Sequence, residues 1–162
     1  MTENLNWSKI CIINKILLRF RKLYSQKNSK HTTYIVNYQE TFKRIIINKD
    51  YKRNKYSIDF FVAGYKYNDG KYIIELLSKS EPINLIREYF IGYDPFAIAV
   101  YDERCEIRLG YVPKIIAPLL TYKMEDENYK IRAIVKNVQL EERDECKIEI
   151  RVFIEKVMKK SN

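Results

Sequence analysis

His31 is the single histidine of this 162-residue chain, and its cysteines number three, Cys11, Cys105 and Cys146, which together restrict the chemistry the sequence can perform. His31 lies in a polar stretch, so neither a Ser-His-Asp nor a Cys-His arrangement has a base within reach. A zinc site needs about four nitrogen or sulfur ligands close together, and one histidine with scattered cysteines does not supply them. Gly64 to Lys71, GYKYNDGK, superficially resembles a phosphate loop. Its glycines are one residue too far apart, and Tyr72 stands where a magnesium-binding hydroxyl belongs. The acidic clusters MEDEN (124–128) and EERDE (141–145) read as solvated turns. No catalytic residue, metal or cofactor is therefore expected. One residue remains open: Asp94, in the run IGYDPFAIAV (91–100), precedes Pro95 and could either make a corner or hold a ligand.

Short strands must position any such site. From Ser57 the sequence runs through SIDFFVAGY and KYIIELLSK, separated by an Asn-Asp-Gly that suits a tight hairpin. INLIREYF and FAIAVY follow, then a DERC turn into EIRLGYV. Pro113 is expected to open a helix over PKIIAPLLTYKM, with Pro118 shortening or kinking it from inside. YKIRAIVKNVQL and CKIEIRVFIEKV alternate around EERDE as a closing hairpin. Upstream, apolar residues from Leu5 to Tyr24 recur at three- and four-residue spacing among Lys9, Lys15, Arg19, Arg21 and Lys22, the pattern of a basic amphipathic helix. SQKNSKHTT (25–33) reads as a linker, and the residues up to Tyr56 as a strand or lead-in. The expected fold is mainly β with one or two helices: a small, partly closed OB-like or SH3-like barrel at 57–157, preceded by a basic arm at 1–56.

Composition fits that division. Residues 1–56 hold 13 Lys or Arg against 3 Asp or Glu, a net of +10, whereas residues 57–162 hold 17 against 18, a net of −1. A basic helix is attracted to nucleic acid or to an anionic membrane surface without specifying which. ICIINKILLRF carries Asn14, Lys15 and Arg19, so no spanning segment or secretory signal is expected, and reduced cysteines suit the cytoplasm.

Three segments in order, VAGYKYNDG (62–70), REYFIGYDPFAIAVY (87–101) and LGYVPKIIAPLL (109–120), resemble the HIRAN domain family, with its Gly-x-[Arg/Lys]-aromatic, Tyr-Asp-x-x-Ala-Ile-x-Val and Gly-Tyr-[Leu/Val]-Pro-[Lys/Arg] signatures. The resemblance covers roughly residues 57–157 and implies an OB-like barrel that binds DNA, single strands or 3′ ends in particular. Matched residue by residue, it makes Tyr67 and Tyr93 a stacking pair, Asp94 the ligand of a 3′ hydroxyl, Lys66 a phosphate contact and Lys114 a weaker one. Aromatic faces stack on any base, and a carboxylate that would repel a phosphate favours the free hydroxyl of an end. The sequence departs from the family where Tyr89, Phe90, Ile91 and Gly92 follow Arg87-Glu88, and where Phe96 replaces an Asn. Such domains also occur attached to helicases and nucleases, which makes an enzyme of that kind a candidate partner. The competing expectation is a protein-docking barrel whose N-terminal helix dimerises or lies on a membrane. Nothing in the sequence fixes the oligomeric state.

Overall fold

The computed structural model describes residues 25–28, 31–37, 44–50, 53, 55–89 and 94–157. Nine strands form the sheet: β1 (Ser25–Asn28), β2 (His31–Asn37), β3 (Arg44–Asp50), β4 (Lys55–Phe61), β5 (Pro82–Arg87), β6 (Ile98–Tyr101), β7 (Arg108–Tyr111), β8 (Tyr129–Val138) and β9 (Ile148–Lys156). Their order is β1-β2-β3-β4-β9-β8-β5-β6-β7, every pairing antiparallel. The last six close on themselves. Just beyond β4, Ala63 exchanges both backbone hydrogen bonds with Tyr111 of β7, at 2.8 Å each, and this bridge seals the barrel. β5 makes the corner by changing partners, from β8 at Pro82–Ile83 to β6 at Asn84–Arg87.

The alternation in the sequence sets what faces inward. Ile148, Ile150, Val152 and Ile154 of β9 are buried on one face, opposite Ile58 and Phe60 of β4 and Ala133 and Val135 of β8. Each of the larger side chains contributes about 1.5–3 kcal/mol by leaving water, and Ala133 less. Val138 breaks the period of two from Val135, and a bulge between Val135 and Asn137 absorbs the extra residue, so that Val138 packs against the core beside Ile148. Among the described residues one α-helix, α1 (Ala117–Met124), lies between β7 and β8 and buries Ala117, Leu120 and Thr121. Pro118 lies in its first turn, where a missing N–H costs nothing, and the Pro113 carbonyl closes the turn before it. The helix accordingly starts four residues later than the sequence suggested, and Pro118 does not kink it.

Two further expectations are corrected. The Asn-Asp-Gly stretch forms no hairpin; three successive 3₁₀ turns, Tyr65–Tyr67, Asp69–Tyr72 and Ile74–Leu76, fill its place. The polar stretch read as a linker contributes β1 and the start of β2, because β3 offers β2, and β2 in turn offers β1, a backbone edge on which even polar residues can pair. The helix expected at 5–24 lies outside the described residues.

On the outer face of β4, Asp59 is 1% exposed and stands in register with Arg151. Arg151 grips it with both ends of its fork, Nε to Oδ1 at 2.6 Å and Nη2 to Oδ2 at 2.8 Å. Lys136 adds its ammonium at 3.1 Å from Oδ2 and at 2.8 Å from Oε1 of the buried Glu149. Burial alone would raise the Asp59 pKa, but the bonds from Arg151 and Lys136 outweigh it and hold the carboxyl below the ordinary 3.8. A group whose folded pKa is depressed stabilises fully above its unfolded value and loses that contribution as pH falls through the folded one. Stability is therefore expected to fall as the solution is acidified below about pH 4. Arg151→Met should lower the free energy of unfolding by about 2 kcal/mol, less than for a fully buried pair, because a third of the Arg151 side chain meets solvent. Urea titrations of both proteins at pH 7 and at about pH 2.5, below the unfolded carboxylate value, would measure each effect, and an unchanged midpoint in the variant would count against it.

Candidate nucleic-acid interface

Between β4 and β5 the chain alternates anchors with projections. Tyr65, Asn68, Gly70, Ile74 and Leu77 are buried, while Lys66, Tyr67, Lys71, Tyr72 and Leu76 face solvent. Gly64 adopts φ +69°, which starts the first turn. Asn68 donates from Nδ2 to the Gly64 carbonyl at 2.7 Å, so its side chain fastens the turn instead of heading a hairpin. Gly70 serves close approach: a Cβ there would lie 2.8 Å from Cα of Leu109 in β7. Tyr67 consequently projects, 79% exposed, from backbone fixed at Asn68 on one side and Gly70 on the other. The Lys66 ammonium sits 5.0 Å from the Tyr67 ring centroid. The neighbouring Tyr67 side chain, followed by Glu145 and Asp144, holds Lys66 above the ordinary lysine value of 10.5, so it stays charged at any physiological pH.

The second loop leaves β5. Arg87 turns its guanidinium back under the corner at 94–97 and donates to the Pro95 carbonyl at 2.9 Å and the Ala97 carbonyl at 3.0 Å. Glu88 N–H also donates to Ala97, at 3.1 Å, and Tyr89 lies over the Arg87 guanidinium at 5.1 Å. Within the corner Asp94 Oδ1 accepts the Phe96 N–H at 2.9 Å, and the Asp94 carbonyl accepts the Ala97 N–H at 3.1 Å. Turn and ligand are thus compatible roles. One carboxylate oxygen makes the corner, and Oδ2 has no partner among the described residues.

Arg108 of β7 joins the two loops. Its Nε donates to Asn68 Oδ1 at 2.7 Å, and Nη1 reaches Tyr111 Oη at 2.9 Å and Glu88 Oε1 at 3.3 Å, while Tyr111 Oη donates to Glu88 Oε2 at 3.0 Å. Burial and the bond to Glu88 push the Tyr111 hydroxyl above its ordinary pKa, so it remains a donor. The result is one tied rim carrying Tyr67, Tyr89 and Asp94 on a preorganised frame.

Of the residues singled out in the sequence, Lys66, Tyr67 and Asp94 stand on these two loops. Lys114 is exposed in the turn after Pro113. Tyr93 lies outside the described residues. Asn68, Arg87, Glu88 and Arg108, which build the frame, were not anticipated as site residues. For Arg108 the available signal was a charge between Ile107 and Leu109 in a strand whose other face is core.

The described residues build a small closed antiparallel barrel whose rim presents aromatic rings and cations, the surface of a binding module. Comparison with protein families gives a match to the HIRAN domain over residues 55–157. The chain belongs to the HIRAN domain family, a family of DNA-binding modules. Among solved structures, the crystal structure of the HIRAN domain of human HLTF is similar at 21% sequence identity and a TM-score of 0.45, over 60% of this chain and 72% of that one. A search of curated proteins gives no match. No helix among the described residues is long and apolar enough to cross a membrane.

Proposed function

We propose that this chain binds single-stranded DNA at free 3′ ends, with Tyr67 and Tyr93 stacking on the terminal bases, Asp94 accepting a hydrogen bond from the 3′ hydroxyl, and Lys66 and Lys114 meeting backbone phosphates. The observation that carries the reading is the divided carboxylate of Asp94: one oxygen is committed to the corner and the other has no partner among the described residues. An acid beside a phosphate path is repulsive, so a carboxylate left open there suits an end that offers a hydroxyl and no further phosphate. The barrel carries little net charge, and the basic residues of 1–56 are the natural source of additional attraction to the backbone. A module of this kind has no need of catalysis. The setting we infer is repair of damaged DNA or processing of stalled forks in the cytoplasm, with a helicase or nuclease as the enzyme recruited.

Fluorescence anisotropy of a labelled strand of about 10 nucleotides, within the site size of one such barrel, tests this. A free 3′ hydroxyl should bind better than a 3′ phosphate or a blunt duplex, and Asp94→Ala should erase the difference. Tyr67→Ala should weaken binding roughly 5- to 150-fold, the equivalent of about 1–3 kcal/mol for one stacked base. Equal binding of all three DNA forms would refute the end-selective role of Asp94.

A further inference from the structure

The loop that presents Tyr67 repeats its own design five residues later. Lys66-Tyr67 is followed by Lys71-Tyr72, and in both pairs the lysine ammonium sits on its neighbour's ring, at 5.0 Å and 4.9 Å from the centroid. Tyr72 is 74% exposed, nearly as much as Tyr67. Between the two rings lie the buried Asn68 and Gly70, held by Arg108 and by the backbone of Leu109. Just beyond Tyr72, Ile74 and Leu77 are buried, so the second ring also projects from an anchored backbone.

A large aromatic side chain left this open on a fixed loop forgoes the burial that usually retains it. A lysine over one face leaves the other free to stack. Five residues of chain place the two rings no more than about 17 Å apart at their Cα atoms, a span that a strand of a few nucleotides can cover. We propose that Lys71 and Tyr72 form a second stacking and phosphate-binding position on the same loop, which takes a base of single-stranded nucleic acid several nucleotides from the one held at Tyr67. This inference rests on the reading of the rim as a single-strand site and extends it along the strand. It sets the length of strand the module requires: a very short end fills only the Tyr67 position, and a longer one reaches both.

The test uses the full chain with 5′-labelled oligothymidine strands of about 2 nucleotides, too short to span both rings, and about 10 nucleotides, both with free 3′ hydroxyls. Tyr72→Ala should weaken the longer strand roughly 5-fold or more, as expected for one lost stack, and leave the shorter one within about 2-fold of the unaltered protein. Tyr67→Ala should weaken both. Tyr72→Phe, which keeps the ring, should bind the longer strand normally. Lys71→Ala should reduce the slope of log affinity against log salt by about 1 for the longer strand alone. Wild-type affinity of Tyr72→Ala for the longer strand would overturn the proposal, as would an equal loss at both lengths, which would mark Tyr72 as a support of the loop. If the unaltered protein binds neither strand, the reading of the rim itself fails, and the second position falls with it.

Discussion

Gly110→Ala is expected to destabilise the protein by more than about 4 kcal/mol, a large share of the stability of an ordinary small domain. Two costs combine. Gly110 adopts φ +150°, a conformation that side chains rarely tolerate. A Cβ at this position would also lie 2.5 Å from the Ala63 carbonyl oxygen and 2.5 Å from Cγ1 of Val62. That carbonyl is the acceptor for Tyr111 N–H in the bridge that closes the barrel. The collision thus falls on the seam, where neither backbone can retreat without breaking the closing pair. A urea titration with an amide-resolved nuclear magnetic resonance spectrum would decide the matter. A dispersed spectrum and a midpoint near that of the unaltered protein would contradict the expectation.

Arg87→Met should have the next largest effect, about 3 kcal/mol, and should act on both stability and binding. The guanidinium is nearly buried, at 9% side-chain exposure, and spans the carbonyls of Pro95 and Ala97. Hydrogen bonds to a charged group are each worth about 1.5–3 kcal/mol. Methionine fills a similar volume and supplies no donor, so the loss reports the bonds more than the packing. The same two carbonyls flank Phe96, whose N–H Asp94 accepts, so a loosened corner should also misplace the Asp94 carboxylate. If Asp94 selects the 3′ hydroxyl, Arg87→Met should lose that preference at temperatures where its circular dichroism remains native. Arg87→Lys should recover only part, because one ammonium cannot reproduce the planar fork. Full discrimination in Arg87→Met would separate the corner from end recognition.

Much of the barrel was legible because its strands obey a period of two over long runs. β9 announces itself through Ile148, Ile150, Val152 and Ile154, and Asp102 marks its turn by accepting the N–H groups of Glu106 and Ile107 with one oxygen. Where the reading failed, the deciding partner was distant. Asn-Asp-Gly satisfies hairpin chemistry locally, yet Asn68 is drawn into a bond with Arg108, 40 residues away, and Gly70 is pressed on Leu109. β1 and the start of β2 are polar and show no alternation; their strand character comes from pairing, β2 along β3 and β1 along β2. The same contrast holds at the rim. The Asp94 corner is written in adjacent residues, so its turn could be named in advance. Arg108 became visible only when folding brought Asn68 and Glu88 to opposite sides of it.

The double service of β4 fixes an order of opening. It pairs with β3 along one edge and with β9 along the other, so the N-terminal strands are built on a template that belongs to the barrel. Isolated strands of that length are marginal alone, and their amides can exchange with solvent while β4 stays seated on β9. The reverse cannot happen. Once β4 leaves β9 the barrel is open and β3 has lost the seated edge it pairs with, so an opening that passes through the β4–β9 edge exposes the amides of β1 to β3 as well. Along that edge protection against hydrogen exchange is therefore nested, with β1 to β3 at or below β4 and β9.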